Sequence, residues 1–149
     1  MGIKIDLEKD LHSAIKEKDE VRKSVLRMAL TSIKLAEVES GKELDDLVIF
    51  SILQKEIKTR EETIAEAEKA NRPEMIAPIN TEIAVLIEYL PKELSDVELI
   101  TLIKKIVEDL NAKTMKEMGL VMKSAIQETQ GKASNDRISK VVRDILSAK

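Results

Sequence analysis

Aliphatic side chains recur along this chain at spacings of three and four residues, which is the period of one face of an α-helix. No segment alternates with the two-residue period of a strand. Aromatic residues make up 1% of the sequence, so the core has to be built from Leu, Ile, Val, Ala and Met. With only 4 Gly and 3 Pro among 149 residues, this pattern predicts an all-α fold.

Glycine, proline and capping residues divide the chain into seven predicted helices. These helices span roughly residues 6–18, 19–40, 45–70, 80–90, 95–110, 114–129 and 135–148. Pro91 ends the fourth helix and Ser95 opens the fifth, so we expect a hinge between them. The expected domains are therefore an N-terminal four-helix lobe, residues 1–92, and a C-terminal three-helix lobe, residues 93–149.

Local signals refine three of these helices. The second helix has two neighbouring apolar stripes, one of which contains Val21 and Met28, and this predicts burial on more than one side. In the third helix, Glu56 and Arg60 are four residues apart, which predicts an ion pair on an exposed face. Pro78 is expected to split the region before the fourth helix, because a proline interrupts a helix.

The sixth predicted helix contains Gly119, although a glycine in a helix interior costs about 1 kcal/mol relative to Ala. One explanation is that an RNA backbone approaches closely at this point. The other, which we favour, is a tight crossing of two helices. Capping boxes at Ser95–Glu98 and Thr114–Glu117 open the fifth and sixth helices, and Gly131 is expected to close the sixth.

Residue types that perform catalysis or bind metals are scarce in this chain. The absence of Cys leaves no disulfide, thiol nucleophile or thiolate metal site. Glu8 and His12 share a helix face, but the sequence marks no further ligands, so His12 is interpreted as a solvated helix residue. No glycine-rich phosphate loop or nucleophile motif is present. We therefore predict no catalytic residue, no metal and no cofactor.

Apolar segments are short throughout the sequence. The first ten residues contain no apolar stretch of the kind found in secretory signals. The densest apolar runs, LVIFSIL and IAVLI, are much shorter than the ~20 residues that cross a bilayer. We therefore expect no membrane association and a cytoplasmic location.

Charge is distributed unevenly along the chain. The formal net charge is −3, but the segment from Ala112 onward has 8 Lys and Arg against 4 Asp and Glu. A helix N-terminus is predicted after Gly131, and such a place is favourable for phosphate. No aromatic residue follows Tyr89, so any RNA would be bound through its shape and phosphates rather than by base stacking. The candidate RNA-binding residues are Lys116, Lys123, Lys132, Arg137, Lys140 and Arg143. Ordinary solubility is the alternative interpretation of these charges.

Four stretches, in this order, carry a family resemblance. They are VRKSVLRMALTSIKLAEVESGKELDD at 21–46, ILQKEIKTREETI at 52–64, EYLPKELSDVEL at 88–99 and KEMGLVMKSAIQETQGKAS at 116–134. In these stretches the chain resembles the YqeY-like proteins, which are relatives of the C-terminal tail of the GatB subunit of tRNA-dependent amidotransferases. The resemblance implies a two-part helical fold whose C-terminal lobe is similar to the GatB tail, in a bacterial, cytoplasmic protein.

The resemblance also implies a role beside tRNA. In the amidotransferase, the tail domain helps to hold the tRNA while other parts transfer ammonia, and those catalytic parts have no counterpart in this chain. A carbon–nitrogen ligase activity with glutamine as amido-N-donor would therefore belong to the larger enzyme, and we expect no turnover from this chain alone. The leading hypothesis is a non-catalytic, tRNA-associated accessory module. The alternatives are a helical protein-interaction module acting in translation or tRNA metabolism, and a component of the ligase reaction.

One turn departs from the family pattern. Residues 131–135 read Gly-Lys-Ala-Ser-Asn, where the family usually has Gly-Arg-Ala-Asp-Gly. Lys132 keeps the positive charge but loses the planar fork of an arginine. Ser134 retains a capping oxygen, and Asn135 can adopt a left-handed conformation as glycine does. We therefore expect the turn to survive.

Overall fold

The computed structural model describes residues 2–148, and these residues form seven α-helices and two 3₁₀ turns. The helices are α1 Ile3–Glu17, α2 Glu20–Ser40, α3 Asp46–Lys69, α4 Ile76–Ile87, α5 Asp96–Asp109, α6 Met118–Thr129 and α7 Asn135–Ser147. The 3₁₀ turns are Pro73–Met75 and Met115–Glu117. No strand occurs within residues 2–148, and the predicted all-α fold is confirmed.

The chain forms two compact units, Met1–Leu90 and Pro91–Lys149. The first unit contains α1 to α4, and the second contains α5 to α7. The division lies two residues before the boundary at 92/93 that the helix signals predicted.

The core of the first unit consists of aliphatic side chains from all four helices. Its fully buried members are Leu7, Val25, Leu26, Ala29, Ile33, Ile49, Leu53 and Leu86. Helix α2 contributes four of them and packs against α1, α3 and α4. The two stripes of α2 merge into one wide buried face, and Val21 and Met28 lie exposed at its edge. The prediction that α2 is buried on more than one side is therefore wrong for these two residues.

A buried arginine lies among α2, α3 and α4. Arg60 is only 8% exposed, so its predicted place on a solvated face is wrong. Its Nε donates to Glu82 Oε1 at 3.0 Å, and its Nη1 donates to the Glu56 carbonyl at 3.1 Å. The Glu56 carboxylate lies 3.8 Å from Nη1 and also accepts from the Ser32 hydroxyl at 3.4 Å. Because Glu82 comes from α4, the guanidinium joins α3 to α4 by a charge-assisted hydrogen bond.

A second polar contact joins α1 to the segment after α4. The Tyr89 hydroxyl donates to Asp10 Oδ2 at 2.5 Å. Partial burial, and then this hydrogen bond to a carboxylate, raise the pKa of Tyr89 well above its ordinary value of 10.0. The two residues are 79 positions apart, so the contact joins the first helix of the first unit to the end of that unit.

The second unit is a three-helix arrangement around its own core. The buried residues are Leu99, Ile103, Ile106, Val107, Ala112, Val121, Ala125, Ala133, Ile138, Val142 and Leu146. Both predicted capping boxes are present, at Ser95–Glu98 and Thr114–Glu117. The second box opens a 3₁₀ turn, and α6 begins only at Met118.

Gly119 consequently lies in the first turn of α6 rather than in a helix interior. A Cβ built on Gly119 would meet no atom within 4 Å. The explanation by a tight crossing of two helices is therefore wrong within this chain. Close approach of an RNA backbone at Gly119 stays a prediction.

Helix α4 begins earlier than its sequence indicated. It starts at Ile76, four residues before the predicted Asn80, and it includes Pro78. Pro78 is tolerated because it lies in the first turn, where the backbone N–H groups have no intrahelical acceptor. The expectation that Pro78 splits the region before the fourth helix is therefore wrong.

Helix α1 ends on a strained residue. Lys18 has φ 57° and ψ 35°, the left-handed conformation in which a non-glycine residue is disfavoured by about 1 kcal/mol or more. We expect Lys18→Gly to raise the free energy of unfolding of the first unit by about 0.5–1 kcal/mol, as read from urea denaturation. The matched control is Lys16→Gly inside α1, which should lower it by about 1 kcal/mol. A loss of stability in Lys18→Gly would contradict the argument.

Candidate nucleic-acid interface

The candidate RNA-binding residues lie on three consecutive segments of the second unit. Lys116 is in the 3₁₀ turn, Lys123 is in α6, and Lys132 is in the turn between α6 and α7. Lys140 and Arg143 are three residues apart in α7 and therefore project from neighbouring positions on one helix face. All five are exposed. Arg143 donates to the Ser139 hydroxyl on its own helix at 3.3 Å.

Arg137, the sixth candidate, is engaged inside the unit. Its Nη2 donates to the Leu94 carbonyl at 2.9 Å and to Asp96 Oδ1 at 3.0 Å. The backbone N–H of Leu94 in turn donates to the Lys132 carbonyl at 2.8 Å. These bonds join the start of α5 to the start of α7. Arg137 Nη1 is buried without a hydrogen-bond partner, and Nη2 is engaged by the two contacts above. Phosphate binding at Arg137 stays a prediction.

The turn between α6 and α7 survives its departure from the family pattern. Gln130 ends α6 in the left-handed conformation with φ 47°, and Gly131 follows with φ 82°. The predicted helix end at Gly131 is therefore one residue too late. Ser134 caps α7 by accepting from the Arg137 N–H at 3.2 Å. Asn135 is the first residue of α7 and is not left-handed, so the turn uses 130 and 131 instead.

Two carboxylates of the second unit are held in their charged form by the capping boxes. Hydrogen bonds from the hydroxyl and then the backbone N–H of Ser95 lower the pKa of Glu98, and nearby Lys92 and Lys132 add to this effect. Hydrogen bonds from the backbone N–H and then the hydroxyl of Thr114 lower the pKa of Glu117. A lowered pKa in the folded state means stability that is present above the unfolded pKa and is lost as the pH falls. Acid therefore weakens the start of α5 and the 3₁₀ turn that precedes α6.

Sequence reasoning identified the cations but missed the ion pair between Arg137 and Asp96. The Arg137–Asp96 pair links residues 41 positions apart, and no local pattern in the sequence marks such a partner. Among residues 2–148, no group of three His, Cys, Asp or Glu side chains is placed to hold a metal ion. Within that same range, every helix is too short or too polar to cross a membrane.

Comparison with known proteins places the chain in a family. The family described as "Yqey-like protein" matches residues 4–146, which is nearly the whole sequence. The chain belongs to the Yqey-like protein family. This confirms the resemblance that the four sequence stretches indicated.

Curated relatives of this Yqey-like chain come from yeasts. Three are called "Altered inheritance of mitochondria protein 41, mitochondrial". The relative from Lachancea thermotolerans is 35% identical over 86 residues, 57% of this chain and 46% of the relative. The one from Kluyveromyces lactis is 36% identical over 84 residues, 56% of this chain and 45% of the relative. The one from Vanderwaltozyma polyspora is 30% identical over 112 residues, 73% of this chain and 60% of the relative.

These relatives correct two expectations. The matches span only about half of the length of the first two relatives and 60% of the third. All three relatives are named as mitochondrial proteins of yeasts. The expectations of a bacterial source and of a cytoplasmic location are therefore wrong on this comparison.

Proposed function

We propose that this Yqey-like chain is a non-catalytic accessory module that binds the tRNA backbone through its second unit, as the GatB tail does in the amidotransferase that it resembles. The observation that carries the proposal is a set of exposed cations in the segment from Ala112 onward, where Lys and Arg outnumber Asp and Glu by 8 to 4. These cations are Lys116, Lys123, Lys132, Lys140 and Arg143.

Four cations of the first unit are held in ion pairs. Lys4 pairs with Glu37 at 2.8 Å, Arg22 with Glu17 at 3.4 Å, and Lys23 with Glu20 at 3.5 Å. Arg60 is buried against two carboxylates. An exposed cation without an internal carboxylate is available to a phosphate, and each such contact releases a counterion from the RNA. Exposed lysines outside such pairs occur in both units, so the feature that favours the second unit is its charge: from Ala112 onward, Lys and Arg outnumber Asp and Glu by 8 to 4.

If the second unit binds RNA through such phosphate contacts, its affinity for RNA should fall steeply as the salt concentration rises. We expect the affinity for bulk tRNA, measured by fluorescence anisotropy, to fall by at least tenfold when four lysines are replaced, an order-of-magnitude figure. The salt slope should decrease by about 3. The four substitutions are Lys116→Gln, Lys123→Gln, Lys132→Gln and Lys140→Gln.

A matched control keeps the change in net charge but moves it to the first unit. The control substitutions, all at exposed lysines, are Lys9→Gln, Lys34→Gln, Lys42→Gln and Lys55→Gln. The control should retain the salt slope of the unchanged chain. If the unchanged chain does not bind tRNA at low salt, or if both variants lose affinity equally, the proposal is wrong.

A protein-interaction role is a second candidate, and one observation favours it. Helix α2 exposes Leu35 and Val38, which are 62% and 73% exposed, on the same side as Met28. A pull-down from cell extract with and without ribonuclease separates the two functions. Protein partners that persist after ribonuclease treatment, together with no tRNA binding, would favour the second.

The third hypothesis is that the chain is a component of a glutamine-dependent ligase, and it can be tested directly. The chain can be added to an amidation reaction that contains every subunit except GatB. We expect no restored turnover, because the chain resembles only the tail of GatB. Restored amidation of the tRNA-bound amino acid would overturn the non-catalytic proposal.

A further inference from the structure

The buried guanidinium of Arg60 meets acceptors of unequal strength. Nε and Nη1 reach oxygen atoms, those of the Glu82 carboxylate and the Glu56 carbonyl. Nη2 instead donates to the Met28 sulfur at 3.9 Å. A thioether sulfur is a weak hydrogen-bond acceptor. Because Arg60 is only 8% exposed, water does not readily replace this weak acceptor.

Met28 itself is open to solvent. It is 51% exposed, on the edge of the buried face of α2, while its sulfur contacts the guanidinium. Because half of the residue is exposed, we expect a small oxidant to reach the sulfur without any unfolding. Oxidation to the sulfoxide turns the thioether into a polar group with a strong acceptor oxygen.

We propose that Met28 is a site of oxidation by peroxides and that Arg60 binds the oxygen of the resulting sulfoxide. In this step a lone pair of the Met28 sulfur attacks one oxygen of hydrogen peroxide. The S–O bond forms, the O–O bond breaks, and the departing hydroxide takes the proton of the transferred oxygen and leaves as water. The sulfur loses two electrons and the peroxide gains them. The new oxygen lies on the sulfur that already faces Nη2, so it accepts from the guanidinium.

Other methionines lack this combination. Met75 and Met115 are 41% and 43% exposed, so they are similarly accessible. The Met115 sulfur, however, accepts from the neutral Ser147 hydroxyl at 3.8 Å, and Met75 lies in the 3₁₀ turn before α4. Met118 and Met122 are half-buried against the core of the second unit, where a sulfoxide would disturb packing. The Met28 sulfur already accepts from a charged donor, whereas the Met115 sulfur accepts from a neutral one.

The consequence is that oxidation should strengthen the first unit. A hydrogen bond from a cation to a sulfoxide oxygen replaces a weaker one to sulfur, and α2 becomes bound more firmly to α3. Unfolding of the first unit can be followed by itself, because Tyr89 is the single tyrosine and the chain has no tryptophan. We expect the Tyr89 fluorescence transition to move up by about 4 °C or more on oxidation of Met28.

The experiment uses the full chain carrying Met75→Leu and Met115→Leu, treated with dilute hydrogen peroxide. Peptide mass spectrometry identifies the oxidised residue, and the thermal transition is recorded before and after treatment. The matched control adds Met28→Leu to the same background and should show no upward shift. The proposal is overturned if Met28 resists oxidation while Met118 or Met122 reacts, or if oxidised Met28 leaves the transition unchanged or lowers it.

A second pair of variants tests the hydrogen bond without peroxide. Met28→Gln places a strong carbonyl acceptor on a side chain of similar length, whereas Met28→Leu has none. The glutamine variant should unfold at the higher temperature, and the Nη protons of Arg60 should exchange more slowly in its NMR spectrum. Equal transitions and equal exchange rates in the two variants would also overturn the proposal.

Discussion

Arg60→Ala is expected to lower the free energy of unfolding of the first unit by about 3–5 kcal/mol. Removal of the guanidinium leaves Glu56 and Glu82 beside a cavity and without the cation between them. A partly buried carboxylate that loses its partner is strongly destabilising. Since whole domains are typically stable by only about 5–15 kcal/mol, this variant should be close to unfolded at ambient temperature.

Urea denaturation followed through Tyr89 measures this loss in the first unit alone. Arg27→Ala, at an exposed arginine of α2, is the matched control and should change the stability by less than about 0.5 kcal/mol. Arg60→Lys should fall between the two, because it keeps the charge but cannot serve both carboxylates with a planar fork. A loss below about 1 kcal/mol in Arg60→Ala would show that the buried pairs are not important for stability.

Tyr89 is expected to remain protonated well above pH 10 as long as the first unit is folded. Partial burial, followed by its hydrogen bond to Asp10, raises the pKa of the phenol. A pKa raised above the unfolded value means stability that is fully present below pH ~10 and is lost as the pH rises toward the folded pKa. The phenolate absorbance should therefore appear together with alkaline unfolding of the first unit.

Tyr89→Phe removes the donor and leaves the Asp10 carboxylate unpaired at this contact. We expect a loss of about 1.5–3 kcal/mol in the urea denaturation of the first unit, followed by far-ultraviolet circular dichroism because the tyrosine is gone. In urea, the unchanged chain should titrate near pH 10, which provides the unfolded reference. Asp10→Asn should lower the pKa of Tyr89 in the folded chain. A folded-state titration at pH ~10 in the unchanged chain would refute the raised pKa.

Helix ends that depend on neighbouring residues were predicted well. Ser95 and Thr114 cap as their spacing to Glu98 and Glu117 indicated, because a capping box is complete within four residues. Errors arose where one residue type is compatible with two positions. Pro78 is unfavourable inside a helix but harmless in its first turn, and the sequence did not show which of these it occupied. The same ambiguity explains the error at Gly119. The 3₁₀ turn delays the start of α6 to Met118, so Gly119 lies in the first turn of the helix and not in its interior.

Candidate site residues were harder to assign than helices. Lys116, Lys123 and Lys140 are exposed, but Arg137, which has the same charge and a similar spacing, is held by Leu94 and Asp96. A list of cations does not distinguish a paired one from a free one. That distinction requires the positions of side chains from different helices.

Amino-acid spacing alone was sufficient for the all-α class and for the number of helices, because helical periodicity and caps are properties of neighbouring residues. The family came from the resemblance of four sequence stretches. Packing in three dimensions decided which charges are buried, paired or available. Arg60 is buried because α4 brings Glu82 to it across 22 residues, and Arg137 is engaged because α5 brings Asp96 to it across 41. The energy of a charge depends on its distance to other charges and to water, and that distance exists only once the helices have packed.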